Sequence, residues 1–191
     1  MMEINLLEIL AAIVGLIYLI LEYKASAWLW LFGVISPILY VYEFYINGVY
    51  ANMTIQIYYV IACIYGIMAW KGIIGKSKEN AELSIVSMPR RYVFPTIIIT
   101  LALCITIPLV LKLYTDSTVW LFDGISTALS IVGMWMLAKK YYQQWILWII
   151  VEPIIIATSL QAEMYATALL YVVYTVIAIM GYIKWKKEAL K

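Results

Sequence analysis

Histidine is absent from the 191 residues. Its absence removes imidazole acid–base chemistry and histidine metal ligation. Cysteine is limited to Cys63 and Cys104, each inside an apolar run, so neither a disulfide framework nor a cysteine zinc cluster can be drawn. No metal and no cofactor are expected. Charge is scarce as well, at 13% against about 25% in ordinary soluble domains. What is present is apolar. Hydrophobic residues make up 66% of the chain, and the mean hydropathy is +0.95. A single core of this length cannot bury that much apolar surface, so lipid has to cover much of it. The chain reads as an all-α, polytopic membrane protein.

A membrane-crossing helix needs roughly 20 mostly apolar residues. Seven candidates follow, over 4–21, 27–46, 53–70, 93–114, 119–138, 144–160 and 164–183. Glu3 and Glu8 stand where a cleaved leader would carry basic residues, so no such leader is expected. The basic residues alternate by loop. Lys24, Lys71, Lys76, Lys78, Arg90, Arg91, Lys139, Lys140, Lys184, Lys186, Lys187 and Lys191 fall on one side, and Lys112 alone falls on the other. The positive-inside rule then puts the N-terminus outside and the C-terminus in the cytoplasm. The stretch 71–92 reads as a solvated linker.

The two halves resemble each other. Tyr50–Lys71 and Tyr165–Lys186 align without a gap, with Tyr50/Tyr165, Tyr59/Tyr174, Gly66/Gly181, Trp70/Trp185 and Lys71/Lys186 identical. Ile-Val-Gly occurs at 13–15 and at 131–133, an offset of 118, while Trp30/Trp145 and Pro37/Pro153 differ by 115 and 116. The expected organisation is therefore a parallel repeat: 1–71 as a first three-helix unit, 72–118 as linker and linker helix, and 119–191 as a second three-helix unit with a basic tail. Parallel repeats with matched, Pro-interrupted helices are a transporter pattern, with the site expected near mid-membrane where the repeats meet. Pro37 and Pro153 each remove a backbone hydrogen bond and are candidate hinges.

Several polar groups lie where lipid would penalise them. Glu152 falls mid-span, where insertion scales put an acid at about 3 kcal/mol unfavourable. Trp145, Trp148 and Glu152, at i, i+3 and i+7, share one helix face. Two indoles beside a carboxylate suit a flat cation through stacking and charge pairing. Further polar stripes run through Asn52, Gln56, Tyr59 and Cys63, through Asp123, Thr127 and Ser130, and through Thr167, Tyr171 and Tyr174. Together they read as a cavity of amide, hydroxyl and phenol groups that holds a ligand by many weak contacts. An intramembrane enzyme is a poor alternative, because Asp123 and Glu152 are the one acid pair worth considering and no metal-protease motif is present. A neutral-sugar carrier would leave Glu152 without a charge partner.

Tyr50-Ala51 followed by Gln56 and Ile64-Tyr65-Gly66, then Asp123, Leu129-Ser130-Ile131-Val132 and Trp145-x-x-Trp148, make the chain similar to the PnuC family of bacterial vitamin transporters over nearly its whole length. The resemblance implies a three-plus-one-plus-three fold like that of the SWEET sugar transporters, and a homotrimer in the cytoplasmic (inner) membrane. It further implies facilitated diffusion of nicotinamide riboside, thiamine or riboflavin, with a cytoplasmic kinase trapping the product. It carries ligand binding to Gln56, Trp145 and Trp148, and recurrent positions to Asp123, Ser130 and Tyr171. Ser36, Cys63 and Glu152 stand where nicotinamide riboside carriers often have asparagine, and Ile67 where they often have tryptophan. An acid at 152 favours a cation, which keeps nicotinamide riboside first and thiamine as the alternative, while neutral riboflavin fits least. The expected binding set is Ser36, Asn52, Gln56, Tyr59, Cys63, Thr127, Ser130, Trp145, Trp148, Glu152 and Tyr171. No nucleic-acid partner is expected.

Overall fold

The computed structural model describes residues 6–46, 50–74, 83–115 and 118–191, and omits the side chains of 6–12, 36, 43, 44, 50–52, 54 and 166. Seven helices run through them: α1 (Leu6–Tyr23), α2 (Leu29–Ile46), α3 (Tyr50–Trp70), α4 (Arg90–Tyr114), α5 (Trp120–Ala138), α6 (Gln144–Gln161) and α7 (Tyr165–Ala189). They fall into two units that divide between Ser84 and Ile85. The first holds α1–α3, with α2 packed along α3 and α1 along α2. The second holds α4–α7, in which α4 lies along α5, α5 along α6 and α6 along α7.

Four helices are long and apolar enough to cross a membrane among the described residues: α4, α5, α6 and the stretch Thr167–Ala189 of α7. The other three contribute shorter apolar stretches, Ile13–Tyr23, Leu29–Tyr42 and Ile55–Trp70. Ile97, Ile99, Leu101, Ile105 and Leu113 of α4 are all at least half exposed. On a water-soluble protein such a surface would aggregate; it matches the apolar surface that the composition assigns to a membrane protein. Lys112, at the far end of α4 from Arg90 and Arg91, rests its ammonium 4.9 Å from the centroid of the Trp120 ring. An aromatic face is the cheapest neighbour for a lone cation near an apolar boundary.

Four helix ends follow one design. The last turn closes when one residue turns left-handed, its amide bonding three residues back while the next amide bonds five back. Gly72 does this after α3, with bonds Gly72 N–H to Ala69 O and Ile73 N–H to Met68 O. Ala25, Lys140 and Glu163 do the same after α1, α5 and α6 at φ values of 54°, 51° and 59°, although none is glycine.

The α1–α2 and α5–α6 turns are the same turn. Lys24→Ile20, Ala25→Glu22, Ser26→Leu21, Leu29→Ser26, Trp30→Ala27 and Leu31→Trp28 recur as Lys139→Trp135, Lys140→Leu137, Tyr141→Met136, Gln144→Tyr141, Trp145→Tyr142 and Ile146→Gln143. Every pair is offset by 115 residues, as are both ends of α2 and α6. The 118 offset suggested by Ile-Val-Gly is therefore not the structural register. That tripeptide is common in apolar helices, whereas the turn and its packing set the alignment. In this register Pro37 and Pro153 sit one residue apart.

The packing repeats at the same offset. Trp30 lies edge-on to Trp70 at 5.4 Å, and Trp145 edge-on to Trp185 at 5.6 Å. A Cβ added to Gly66 would sit 2.4 Å from the Trp30 ring, and one added to Gly181 2.6 Å from the Trp145 ring. All four tryptophans are essentially inaccessible.

The end of the predicted linker departs from expectation. Residues 85–88 are docked on the α5–α6 turn: Val86 N–H donates to Lys140 O and Tyr142 N–H to Val86 O. The Gln143 side chain holds the neighbouring residues, its amide nitrogen donating to Ser87 Oγ at 2.8 Å and its oxygen accepting from Met88 N–H at 3.0 Å. Met88 is buried against Val132, Met136 and Tyr141. Charge counting reads 71–92 as solvated because it cannot see a backbone pairing or one buried methionine.

Substitution Gly181→Ala, which forces Cβ into the Trp145 ring, should cost about 1–3 kcal/mol. Glu163→Gly, which relieves a left-handed residue at an exposed helix end, should stabilise by up to about 1 kcal/mol. Thermal unfolding of the detergent-solubilised protein checks both signs, with the exposed Ile105→Ala as the unchanged reference.

Candidate functional site

Each unit holds a buried acid on the same helix as an aromatic ring, four residues apart. In the second unit they are Trp148 and Glu152 of α6. Glu152 is 5% exposed at the middle of the helix. Two phenols from α7, Tyr171 and Tyr174, stand within electrostatic reach of its carboxylate, and their own rings lie 5.2 Å apart. Glu152 also has contacts within the protein. The Trp148 ring rests on α5 where Gly133 leaves room, a Cβ there being 3.3 Å from the ring. Its indole nitrogen is buried and has no acceptor among the described residues. Ser130, one turn before Gly133 on α5, and Thr127, one turn further, are half-buried. Ser126 Oγ donates to Asp123 O at 3.0 Å, which turns that hydroxyl back on its own helix.

In the first unit the ring and acid are Tyr18 and Glu22 of α1, the latter 2% exposed. Tyr18 lies within electrostatic reach of Glu22, Cys63 and Tyr59. A Cβ on Gly33 of α2 would be 2.9 Å from the Tyr18 ring and 3.4 Å from Cys63 Sγ. At the offset of 115, Tyr18 corresponds to Gly133 and Gly33 to Trp148. The same ring-on-glycine slot is thus filled from opposite helices in the two units. Gln56 lies one turn before Tyr59 on α3, half-buried.

The expected residues therefore sort by unit. The second brings together Trp148, Glu152 and Tyr171, with Thr127 and Ser130 on α5. The first brings Tyr59 and Cys63 together around Tyr18, with Gln56 a turn away. Trp145 is fully enclosed between Gly181 and Trp185, and Trp30 is enclosed in the same way. Direct stacking on Trp145 would require that packing to open. Pro37 is buried within α2 and Pro153 exposed within α6. The side chains of Ser36 and Asn52 lie outside the described ones.

The family model described as Nicotinamide mononucleotide transporter matches residues 5–187. The chain belongs to this family. Among its relatives, the nicotinamide riboside transporter PnuC of Escherichia coli is 26% identical over 215 residues, spanning 98% of this chain and 87% of the relative. The protein of that name from Neisseria mucosa is 26% identical over 188 residues, covering 93% and 70%. The one from Haemophilus influenzae is 24% identical over 182 residues, covering 95% and 79%. The solved structure of the vitamin B3 transporter PnuC shares the fold, with a TM-score of 0.71 at 24% identity over 94% of this chain and 80% of that one. The PnuC resemblance read from the motifs thus stands, and with it a polytopic α-helical membrane transporter.

Within this family frame, Tyr18 and Glu22 are what the motif reading overlooked. Glu22 lies next to Tyr23 and Lys24 near the end of a span, and in sequence it looks like an interfacial charge. The usable signal was the i, i+4 spacing of Tyr18 and Glu22, which Trp148 and Glu152 repeat.

Gly133→Val should push Trp148 off its platform, and the smaller ring of Trp148→Phe should relieve the strain. The double variant will then be more stable than Gly133→Val alone, with a coupling of about 1 kcal/mol or more in an unfolding cycle. Strictly additive effects would mean that the two side chains do not share the slot.

Proposed function

We propose that this protein takes up nicotinamide riboside across the bacterial cytoplasmic membrane by facilitated diffusion. The observation that carries the reading is Glu152, a buried acid at the centre of α6, one turn from Trp148 and flanked by Tyr171 and Tyr174. A flat pyridinium with a ribose has the complementary parts. Its ring stacks on indole, its positive charge offsets the carboxylate, and its hydroxyls meet phenol and hydroxyl groups. The names of the relatives, nicotinamide riboside transporters, support the same cargo. The buried Trp148 indole N–H is a donor available to a ligand oxygen.

In this reading Trp148 stacks on the ring and Glu152 neutralises it, while Tyr171, Thr127 and Ser130 supply hydrogen bonds. Gln56, Tyr59 and Cys63, with Asn52 and Ser36, are proposed as further substrate contacts. Trp145 serves as the packing anchor that holds Trp148 and Glu152 at a fixed depth. Seven spans in a three-plus-one-plus-three parallel arrangement are proposed, supported by the shared turn and helix bounds at an offset of 115. An outside N-terminus and cytoplasmic C-terminus follow from the basic residues at the ends of α1, α3, α5 and α7. Pro37 and Pro153 are the proposed hinges. The homotrimer and the trapping kinase rest on the resemblance to PnuC proteins.

Calorimetric titration of the detergent-solubilised protein with nicotinamide riboside should give saturable binding. Glu152→Gln, which keeps the shape and removes the charge, should weaken that binding by about 10-fold, as loss of one partly desolvated charge pair implies. Trp148→Ala should weaken it by a similar factor. Tighter binding of thiamine than of nicotinamide riboside would reassign the cargo within the family. Proteoliposomes that accumulate no labelled riboside above protein-free vesicles would overturn the uptake reading. Uptake unchanged by a protonophore is expected of a facilitative carrier.

A further inference from the structure

A second cavity lies in the first unit, at the turn that follows Glu22. The α1–α2 turn and the end of α3 enclose a cavity of about 570 Å³ lined by Lys24, Ser26, Ala27, Trp28, Ile67 and Lys71, among others. No acidic residue lines it. Lys24 and Lys71 are exposed and form no ion pair among the described residues. The Ala27 N–H likewise has no backbone partner among them, and the Ser26 hydroxyl lies beside it on the cavity wall. Trp28, at the mouth, is 65% exposed.

The second unit provides the internal comparison. At an offset of 115, Lys24, Ser26, Ala27, Ile67 and Lys71 become Lys139, Tyr141, Tyr142, Tyr182 and Lys186. There the corner is filled. Tyr142 and Tyr182 pack ring to ring at 5.7 Å, and Lys186 sits 5.4 Å from the Tyr182 centroid. The amide of Tyr142, the counterpart of the Ala27 N–H, donates to the Val86 carbonyl at 3.1 Å. One unit thus satisfies its cation with an aromatic face and its turn amide with a carbonyl oxygen. The other replaces both tyrosines with Ala27 and Ile67, keeps both lysines, and leaves the amide, the hydroxyl and the space.

We propose that this corner binds the phosphodiester headgroup of an anionic phospholipid. Lys24 and Lys71 supply the charge, and Ser26 Oγ and the Ala27 N–H donate to the phosphate oxygens. Trp28 sits at the level where an indole favours the membrane–water boundary. Exposed Leu31, on the same wall, continues the surface towards the acyl chains. A lipid, not a free anion, is favoured because the mouth carries an exposed indole and an exposed leucine beside the lysines.

The test uses the full chain in detergent, titrated with phosphatidylglycerol, phosphatidylcholine and inorganic phosphate, and read by native mass spectrometry and thermal shift. Phosphatidylglycerol should bind and stabilise, and the other two should not. The double variant Lys24→Gln/Lys71→Gln should lose about tenfold or more in phosphatidylglycerol affinity, in line with two lysines near an anionic headgroup. Lys24→Arg/Lys71→Arg and the tail control Lys187→Gln/Lys191→Gln should stay within about twofold. Ala27→Tyr, which copies the filled corner without altering charge, should also lose the lipid. If Ala27→Tyr does not fold, the exposed-lysine pair decides alone. Equal losses in the tail control, equal binding of phosphatidylcholine, retention of the lipid by the glutamine pair, or stabilisation by inorganic phosphate equal to that by phosphatidylglycerol would each overturn the proposal.

Discussion

Lipid removes the hydrophobic drive that holds helices together in water, so close van der Waals packing has to take its place. In both units that packing is an indole set into a glycine gap: Trp30 over Gly66 and Trp145 over Gly181, each braced edge-on by a second tryptophan. The rest of each unit depends on it. The contact locks α2 to α3 and α6 to α7 at a spacing that a methyl group would disturb. It thereby fixes the depth of every polar residue those helices carry. The Trp30 and Trp145 indole nitrogens are buried without an acceptor among the described residues, a sacrifice of about 1–3 kcal/mol each. Such a loss is tolerated only where the packing gained exceeds it.

A second ring-and-glycine slot, between α1 and α2 and between α5 and α6, is where the units differ. Tyr18 reaches from α1 onto Gly33 in one, and Trp148 reaches from α6 onto Gly133 in the other. The acid follows the ring, because Glu22 lies four residues after Tyr18 and Glu152 four residues after Trp148. With large and small exchanged across the slot, the ring–acid pair stands on α1 in one unit and on α6 in the other. The acid accordingly lies near the end of α1 in one unit and at the middle of α6 in the other. Glu22 is nonetheless buried and has contacts within the protein. Glu152, at mid-helix, has Tyr171 and Tyr174 within electrostatic reach, and in the proposed role it also meets a cationic cargo.

Much of this was open to sequence reasoning. Hydropathy runs place the helices to within a few residues, and the ladder of Gly66/Gly181, Trp70/Trp185 and Lys71/Lys186 puts the third and seventh helices in register. Other features were hidden for physical reasons. Ile-Val-Gly misaligned the first and fifth helices by three residues, because apolar tripeptides carry little information and the true register is written in a left-handed turn at Ala25 and Lys140. The docking of Val86 depends on backbone donors that have no residue code. Trp145 and Trp148 look alike on a helix face, yet Gly181 closes over one while Gly133 offers the other a platform. Only the partner helices distinguish them.

The proline in α6 follows Glu152 directly, so the carbonyl of Ile149 loses its usual donor one turn below. Trp148 and Glu152 both precede Pro153, on the half of α6 anchored by Trp145 against Gly181. If α6 bends at this proline, ring and acid stay together with the anchored half, and the bend moves Ile154–Gln161 instead. A bend there cannot pull the ring away from the acid. In the proposed role, release would come from changing what the other elements present to the pair, above all Tyr171 and Tyr174 on α7. In the first unit Pro37 withdraws the donor to the Gly33 carbonyl, directly under Tyr18. If α2 bends there, the bend falls in the ring slot itself. Although the turn and the tryptophan lock are copied between the units, the prolines are not: Pro37 falls at the ring slot and Pro153 beyond the ring–acid pair, so bending at the two proposed hinges would act differently in each.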